Sequence, residues 1–228
     1  MEIYEKVYEI TEPLCSCAGL LHLAQEAAGE HSTDLGFSWE QLQEKGLFWA
    51  VIRTKAEITR LPKAGETLTA RTWPLPTTRT AYPRQVTLLD EAGQAVAQVL
   101  SLWVLMDVAS RRMVLPGKSG ITVEGITLGC ELELPGSLTP VTQGERRTVT
   151  VTDDLLDRNG HMNNAKYLQW VQEAAGDRQL AGFTVNYLAE ALPGDELELI
   201  CRETETGLNL DILKENTRIF SANAILKL

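Results

Sequence analysis

The hexapeptide Gln25-Glu26-Ala27-Ala28-Gly29-Glu30 returns as Gln172-Glu173-Ala174-Ala175-Gly176-Asp177, at an offset of 173 − 26 = 147 residues. In a chain of 228 residues such a period restricts the fold, because the same supersecondary unit has to occur twice. Residues 18–37 and 164–183 around the two copies read as helices. In the second, Leu168, Val171 and Ala175 fall on one stripe with the i, i+3, i+7 spacing of a buried face. Strand-like runs follow each helix, over 47–61, 63–75, 82–90 and 95–107, and again over 183–192, 194–204, 208–215 and 218–228. The turns agree in kind: PKAGE (62–66) and PGDE (193–196) precede a period-2 strand, and DEAGQ and KENTR join a final pair. One helix followed by antiparallel strands, twice over, predicts two tandem α+β domains, each a sheet wrapped around its helix. The expected boundaries are residues 1–115, a Gly/Pro/Ser-rich connector over 116–143, and residues 144–228.

Composition narrows the function classes. A hydrophobic content of 44% with 23% charged residues is that of an ordinary globular chain with a sizeable core. The most apolar stretch, residues 95–108, is too short for a bilayer, which needs about 20 apolar residues. The start, MEIYEKVYEITEP, lacks the charged-then-apolar layout of a secretion signal, so a cytoplasmic protein without membrane association is expected. A net charge of −10 opposes nucleic-acid binding, which needs a basic face. Cys15, Cys17, Cys130 and Cys201 show no zinc-finger spacing and read as reduced thiols, and no metal site follows from them. Neither a P-loop nor a dinucleotide-binding glycine fingerprint is present, so no cofactor is expected.

The densest polar cluster stands directly before the second helix: Asp157, Asn159, Gly160, His161, Asn163 and Asn164. In an extended lead-in, residues i and i+2 project to one side, so Asp157, Asn159 and His161 can converge. Asp, Asn and Gly also serve as helix caps and turn formers, which gives a purely structural reading. The first copy provides a comparison. Subtracting 147 sets Ile10, Glu12 and Leu14 where Asp157, Asn159 and His161 stand, and no polar set is found there. That asymmetry favours a catalytic second half and a first half that shapes a cavity.

The run LLDRNGHMNNAKYLQWVQEA resembles the signature of the acyl-acyl carrier protein thioesterases, a double hotdog family with Asp-x-Asn-x-His-x-Asn-Asn-x-x-Tyr before the second hotdog helix. TKAEITRLPKAGETLTARTWP and SLWVLMDVASRRMVLP resemble the family's first hotdog domain. The resemblance implies hydrolysis of fatty acyl-ACP to free fatty acid, ending chain elongation, with no cofactor and acyl carrier protein as partner. It assigns Asp157, Asn159, His161 and Glu190 as catalytic, with Asn163 and Asn164 in support. Many plant members carry a Cys after that Glu; here the position is Ala191, so a cysteine nucleophile is unavailable. Water is then the attacker, with Glu190 as general base and Asn159 and His161 holding water and substrate.

Other residues have simpler readings. Glu173 is matched by Glu26 in the half without the polar set, so a structural role is expected for both. Cys201, Tyr167 and Trp170 read as core, and His22 and His31 as ordinary. Arg111, Arg112, Lys118, Arg146 and Arg147 are candidate contacts for an acidic carrier. An acyl-CoA thioesterase, a non-catalytic acyl-binding hotdog protein and a hotdog dehydratase are the rival readings. A monomer and a homodimer both fit.

Overall fold

A computed structural model describes residues 3–156, 160 and 162–227, and in it the repeated hexapeptide becomes a repeated topology. The N-terminal unit, Met1–Pro135, runs β1 (Tyr4–Glu9), α1 (Cys17–Asp34), α2 (Trp39–Gln43), β2 (Leu47–Ile58), β3 (Thr67–Pro74), β4 (Tyr82–Leu89), β5 (Ala95–Asp107), β6 (Met113–Val114) and α3 (Pro116–Ser119). Its main strands pair antiparallel in the order β1-β3-β4-β5-β2, with β6 folded back on β5. The C-terminal unit, Gly136–Leu228, runs β7 (Glu145–Thr150), α4 (Asn164–Ala175), β8 (Leu180–Tyr187), β9 (Glu196–Glu203), β10 (Gly207–Lys214) and β11 (Thr217–Leu226). Its order, β7-β9-β10-β11-β8, is the same permutation. α1 packs on β1, β3 and β4, and α4 on β8, β10 and β11. The fold is therefore the expected α+β one, a helix and an antiparallel sheet in each of two hotdog units.

Both helices start at a side-chain cap. Ser16 Oγ accepts the Gly19 amide at 3.0 Å, and Asn163 Oδ1 accepts the Ala165 amide at 2.9 Å. Leu168, Val171 and Ala175 are buried as their spacing requires, and a fully buried Leu or Val contributes about 1.5–3 kcal/mol. α4 ends earlier than its sequence pattern suggests. Gly176 adopts φ +64, and Leu180 already opens β8. Each helix is tied to the first strand of its unit by an equivalent ion pair, Lys6–Glu26 at 2.6 Å and Arg147–Glu173 at 2.7 Å. That pairing gives Glu26 and Glu173 the structural role expected of them.

Two strands are missing from the sequence reading. β1 (YEKVYE) and β7 (ERRTVT) are edge strands with mostly exposed or half-exposed side chains, so alternation leaves no apolar face to detect. β5 is the opposite case. Trp103 and Leu105 face one core cluster, while Leu100, Leu102 and Val104 face another that Ile126 and Leu132 cover. Burial on both faces explains why AVAQVLSLWVLMD is almost continuously apolar.

Residues 116–143, read as a connector, are held by side chains from both units. On the N-terminal unit, Trp73 Nε1 donates to Glu131 at 3.1 Å and the Leu132 amide to Gln85 Oε1 at 3.3 Å. On the C-terminal unit, the Leu138 amide donates to Asn186 Oδ1 at 3.1 Å and the Val141 amide to Asp211 Oδ2 at 2.8 Å.

Candidate active site

Comparing the two units isolates the segment that differs. β1 and β7 begin 145 − 4 = 141 residues apart, but α1 and α4 begin 164 − 17 = 147 apart. The C-terminal unit thus has 147 − 141 = 6 extra residues between first strand and helix. Short 3-10 turns at Glu12–Leu14 and Asp153–Leu155 keep the offset of 141, so the extra residues follow Leu155 and fall in the polar cluster. This corrects the sequence comparison: Ile10, Glu12 and Leu14 correspond to Val151, Asp153 and Leu155, and Asp157, Asn159 and His161 have no counterpart, whereas Asn163 caps α4 as Ser16 caps α1. The backbone agrees. Ile10 exchanges hydrogen bonds with Gly65 and Glu66, and Val151 does so with Gly194 and Asp195.

The ends of this excursion are pinned by backbone contacts. Leu156 and Met162 form an antiparallel bridge, and the Asn163 amide donates to Leu155 O at 2.9 Å. Gly160, exposed with φ +77, lies in the left-handed region that favours glycine. The Met162 amide donates to Ala191 O at 3.0 Å. Asn164, opening α4, accepts from Tyr187 Oη at 3.2 Å. Asp157, Asn159 and His161 lie outside the described residues. The residue following His161 is hydrogen-bonded to the residue following Glu190.

Glu190 sits, exposed, in the link between β8 and β9. Both ends of that link are fixed. The amides of Leu188 and Ala189 donate to Ile219 O, at 2.8 and 3.2 Å. At the other end Asp195 Oδ2 accepts from the Leu192 amide and from Lys214 Nζ, each at 2.7 Å. Burial opposes ionisation of Asp195, but Lys214 and that amide outweigh it and hold the carboxyl below its ordinary range. Burial, and then the negative charges of Asp195 and Glu190, push the Tyr167 phenol well above its usual value. Tyr167 stacks on Phe220 at 4.6 Å between centroids and meets Tyr187 edge-on at 5.9 Å. Ala191 is buried, and no thiol stands at its position.

The N-terminal unit holds a separate feature, a largely apolar pocket lined by Phe37, Trp49, Tyr82, Trp103, Val123 and Arg84 among others. Arg84 was not foreseen as a site residue. It is buried in mid-strand, where Nη1 lies 2.9 Å from His31 Nδ1 and 3.3 Å from Thr72 Oγ1. A guanidinium only donates, so His31 Nδ1 accepts and the imidazole proton sits on Nε2. Burial, then the Arg84 charge, lowers His31 to about 4. Burial alone lowers Arg84 to about 10, which leaves it charged at neutral pH. A lone Arg between Pro83 and Gln85 gives a single sequence no sign of this; only the register of β4 buries it.

Among the described residues no three potential ligands cluster as a metal site. No described helix is long and apolar enough to cross a membrane. All four cysteines are free, and burial, followed by Glu145 and Glu203, raises the Cys201 thiol. Tyr167 and Trp170 are core residues, as expected. His31 is buried rather than ordinary.

Comparison with known proteins places these features in context. Residues 8–115 match the model of the acyl-ACP thioesterase N-terminal domain, and residues 139–224 that of the acyl-ACP thioesterase C-terminal domain. A palmitoyl-acyl carrier protein thioesterase of Gossypium hirsutum, chloroplastic, is 24% identical over 80% of this chain and 49% of its own length. The chain spans about half the length of the curated relatives it matches. Its fold superposes on the crystal structure of an acyl-ACP thioesterase from Bacteroides thetaiotaomicron with a TM-score of 0.85, at 21% identity over 99% of this chain and 98% of that one. A 12:0-ACP thioesterase from Umbellularia californica gives 0.82, at 21% identity over 99% and 97%.

Proposed function

The chain belongs to the acyl-ACP thioesterase family, its two domain models matched in order over residues 8–115 and 139–224, and on that premise we propose that it hydrolyses the thioester of fatty acyl-ACP and releases the free fatty acid. The N-terminal domain, residues 1–115, receives the acyl chain in its apolar pocket. The C-terminal domain, residues 144–228, carries the chemistry, and residues 116–143 connect them. Glu190 acts as general base on a water, Asn159 and His161 hold water and thioester carbonyl, and Asp157 orients them. Asn163 and Asn164 brace the helix start. The thiolate leaves without strong acid assistance, and no metal or cofactor is required.

The observation that carries this reading is the Met162 N–H···O=C Ala191 hydrogen bond, which joins the neighbour of His161 to the neighbour of Glu190. The six-residue excursion found in one unit alone supports it, since a mere helix start needs no such addition. The relatives' names support the carrier. The test is product analysis with a ladder of acyl carrier protein thioesters, repeated with the same acyl groups on coenzyme A. Glu190→Gln and His161→Ala are each expected to lower kcat by about 10²–10⁴-fold. Unchanged hydrolysis in both variants would overturn the mechanism and favour a non-catalytic acyl-binding protein.

A further inference from the structure

The polar side chains that line the N-terminal pocket differ in how they are satisfied. Its hydroxyls are engaged: Ser32 Oγ donates to Phe37 O at 3.0 Å, and Tyr82 Oη lies 2.8 Å from Ser119 Oγ and 3.2 Å from Ile121 O. Its indoles are not. Trp49 Nε1 and Trp103 Nε1 are both buried, and neither has a hydrogen-bond partner among the described residues. Arg84, 8% exposed, adds a charge to this set. Its Nη1 bonds His31 Nδ1 and Thr72 Oγ1, while Nε and Nη2 meet no acceptor among the described residues. Among those residues no carboxylate lines the pocket or pairs with Arg84.

The three groups converge because of strand register. Tyr82 and Arg84 are two apart on β4, and Tyr82 stands opposite Trp103 on β5, so all three project from one face of the sheet. Trp49 meets Tyr82 edge-on, at 5.0 Å between centroids. Guanidinium and indole N–H groups donate and cannot accept. Free polar groups that are all donors match a ligand atom that only accepts. A buried cation without a counter-ion further favours an acceptor with negative charge. A carboxylate meets both conditions, and a plain hydrocarbon end meets neither.

We propose that this pocket selects acyl chains that end in a second carboxylate, the thioesters of dicarboxylic acids, with Arg84 setting the preference and Trp49 and Trp103 as further donors. The inference rests on the reading that the pocket receives the acyl chain of a carrier-linked thioester. The guanidinium takes the distal carboxylate through Nε and Nη2, the edge that His31 and Thr72 leave free. Arg84 thus acts on substrate choice and not on the chemical step.

The test uses the full chain and two acyl carrier protein thioesters of equal length, one methyl-terminated and one carboxylate-terminated. The wild type should favour the carboxylate-terminated chain in kcat/KM by about tenfold or more. Arg84→Met should abolish that preference, chiefly through KM. Trp103→Phe keeps a ring but lacks the N–H, and should reduce the preference by about threefold. A second readout avoids turnover and needs no Arg84 variant. The free dicarboxylic acid should raise the wild-type melting temperature more than the monocarboxylic acid of the same length, and Trp103→Phe should shrink the difference. A wild type without preference in either measurement, or an unchanged ratio in a folded Arg84→Met, would overturn the assignment. Failure to hydrolyse any carrier thioester would instead sink the substrate reading beneath it.

Discussion

His31 and Arg84 form a buried cationic pair in which only one member holds its charge at neutral pH. Burial and the neighbouring guanidinium lower His31 from 6.5 to about 4, with Asp34 opposing weakly. The sign of the stability change follows from linkage. Above pH 6.5 the imidazole is neutral in both folded and unfolded chains, and its contribution is complete. Between pH 6.5 and about 4 the unfolded chain binds a proton that the folded one refuses, so stability declines; below that window both are protonated and the decline ends. His31→Gln keeps an acceptor for Arg84 but cannot titrate. Urea midpoints measured at pH 7 and pH 5 should fall more for wild type than for His31→Gln, and equal falls would refute the assignment. Nothing about His31 in the sequence distinguishes it from His22, which is exposed beside Glu26.

At the level of elements, the two units differ mainly in how strand meets helix. In the N-terminal unit the 3-10 turn is followed by only Cys15 and Ser16 before α1. The short link presses the backbone of Leu14 against the first turn of the helix, and a Cβ on Gly19 would lie 2.5 Å from Leu14 Cα. The equivalent position in α4, 19 + 147 = 166, is Lys166, which follows a link six residues longer. Gly19→Ala should destabilise the protein by about 1–3 kcal/mol, a steric cost unrelated to helix propensity, which favours Ala. A gain in stability by chemical denaturation would contradict this account. The tight junction also explains why the N-terminal unit has no room for a polar excursion.

On the scale of the whole chain, the irregular stretch between the units is ordered by buried polar side chains rather than by secondary structure. Asp211 accepts the Val141 amide and lies 3.6 Å from Arg218, while Asn186 binds Leu138 and Gly136. Asp211→Ala orphans the Val141 amide and should cost about 2 kcal/mol, with faster limited proteolysis near residue 141. Asp211→Asn keeps an acceptor and should lose less; equal losses for the two would place the effect in the charge instead.

Much of this was legible in the residues themselves. Local physics suffices for the duplicated helix, the main strands and the capped start of α4, because periodicity and side-chain caps act within a few residues. The polar cluster was also readable, since so many polar residues stand together there, whereas Glu190 and Ala191 were reached only through the family resemblance. Tertiary structure alone decided the rest. The edge strands β1 and β7 exist only because β3 and β9 offer open hydrogen-bonding edges. The burial of Arg84, the six-residue difference between the units and the neutralisation of Arg146 and Arg147 all depend on partners far along the chain. Sequence fixes which groups are available, but burial and charge pairing are properties of neighbours that folding brings together.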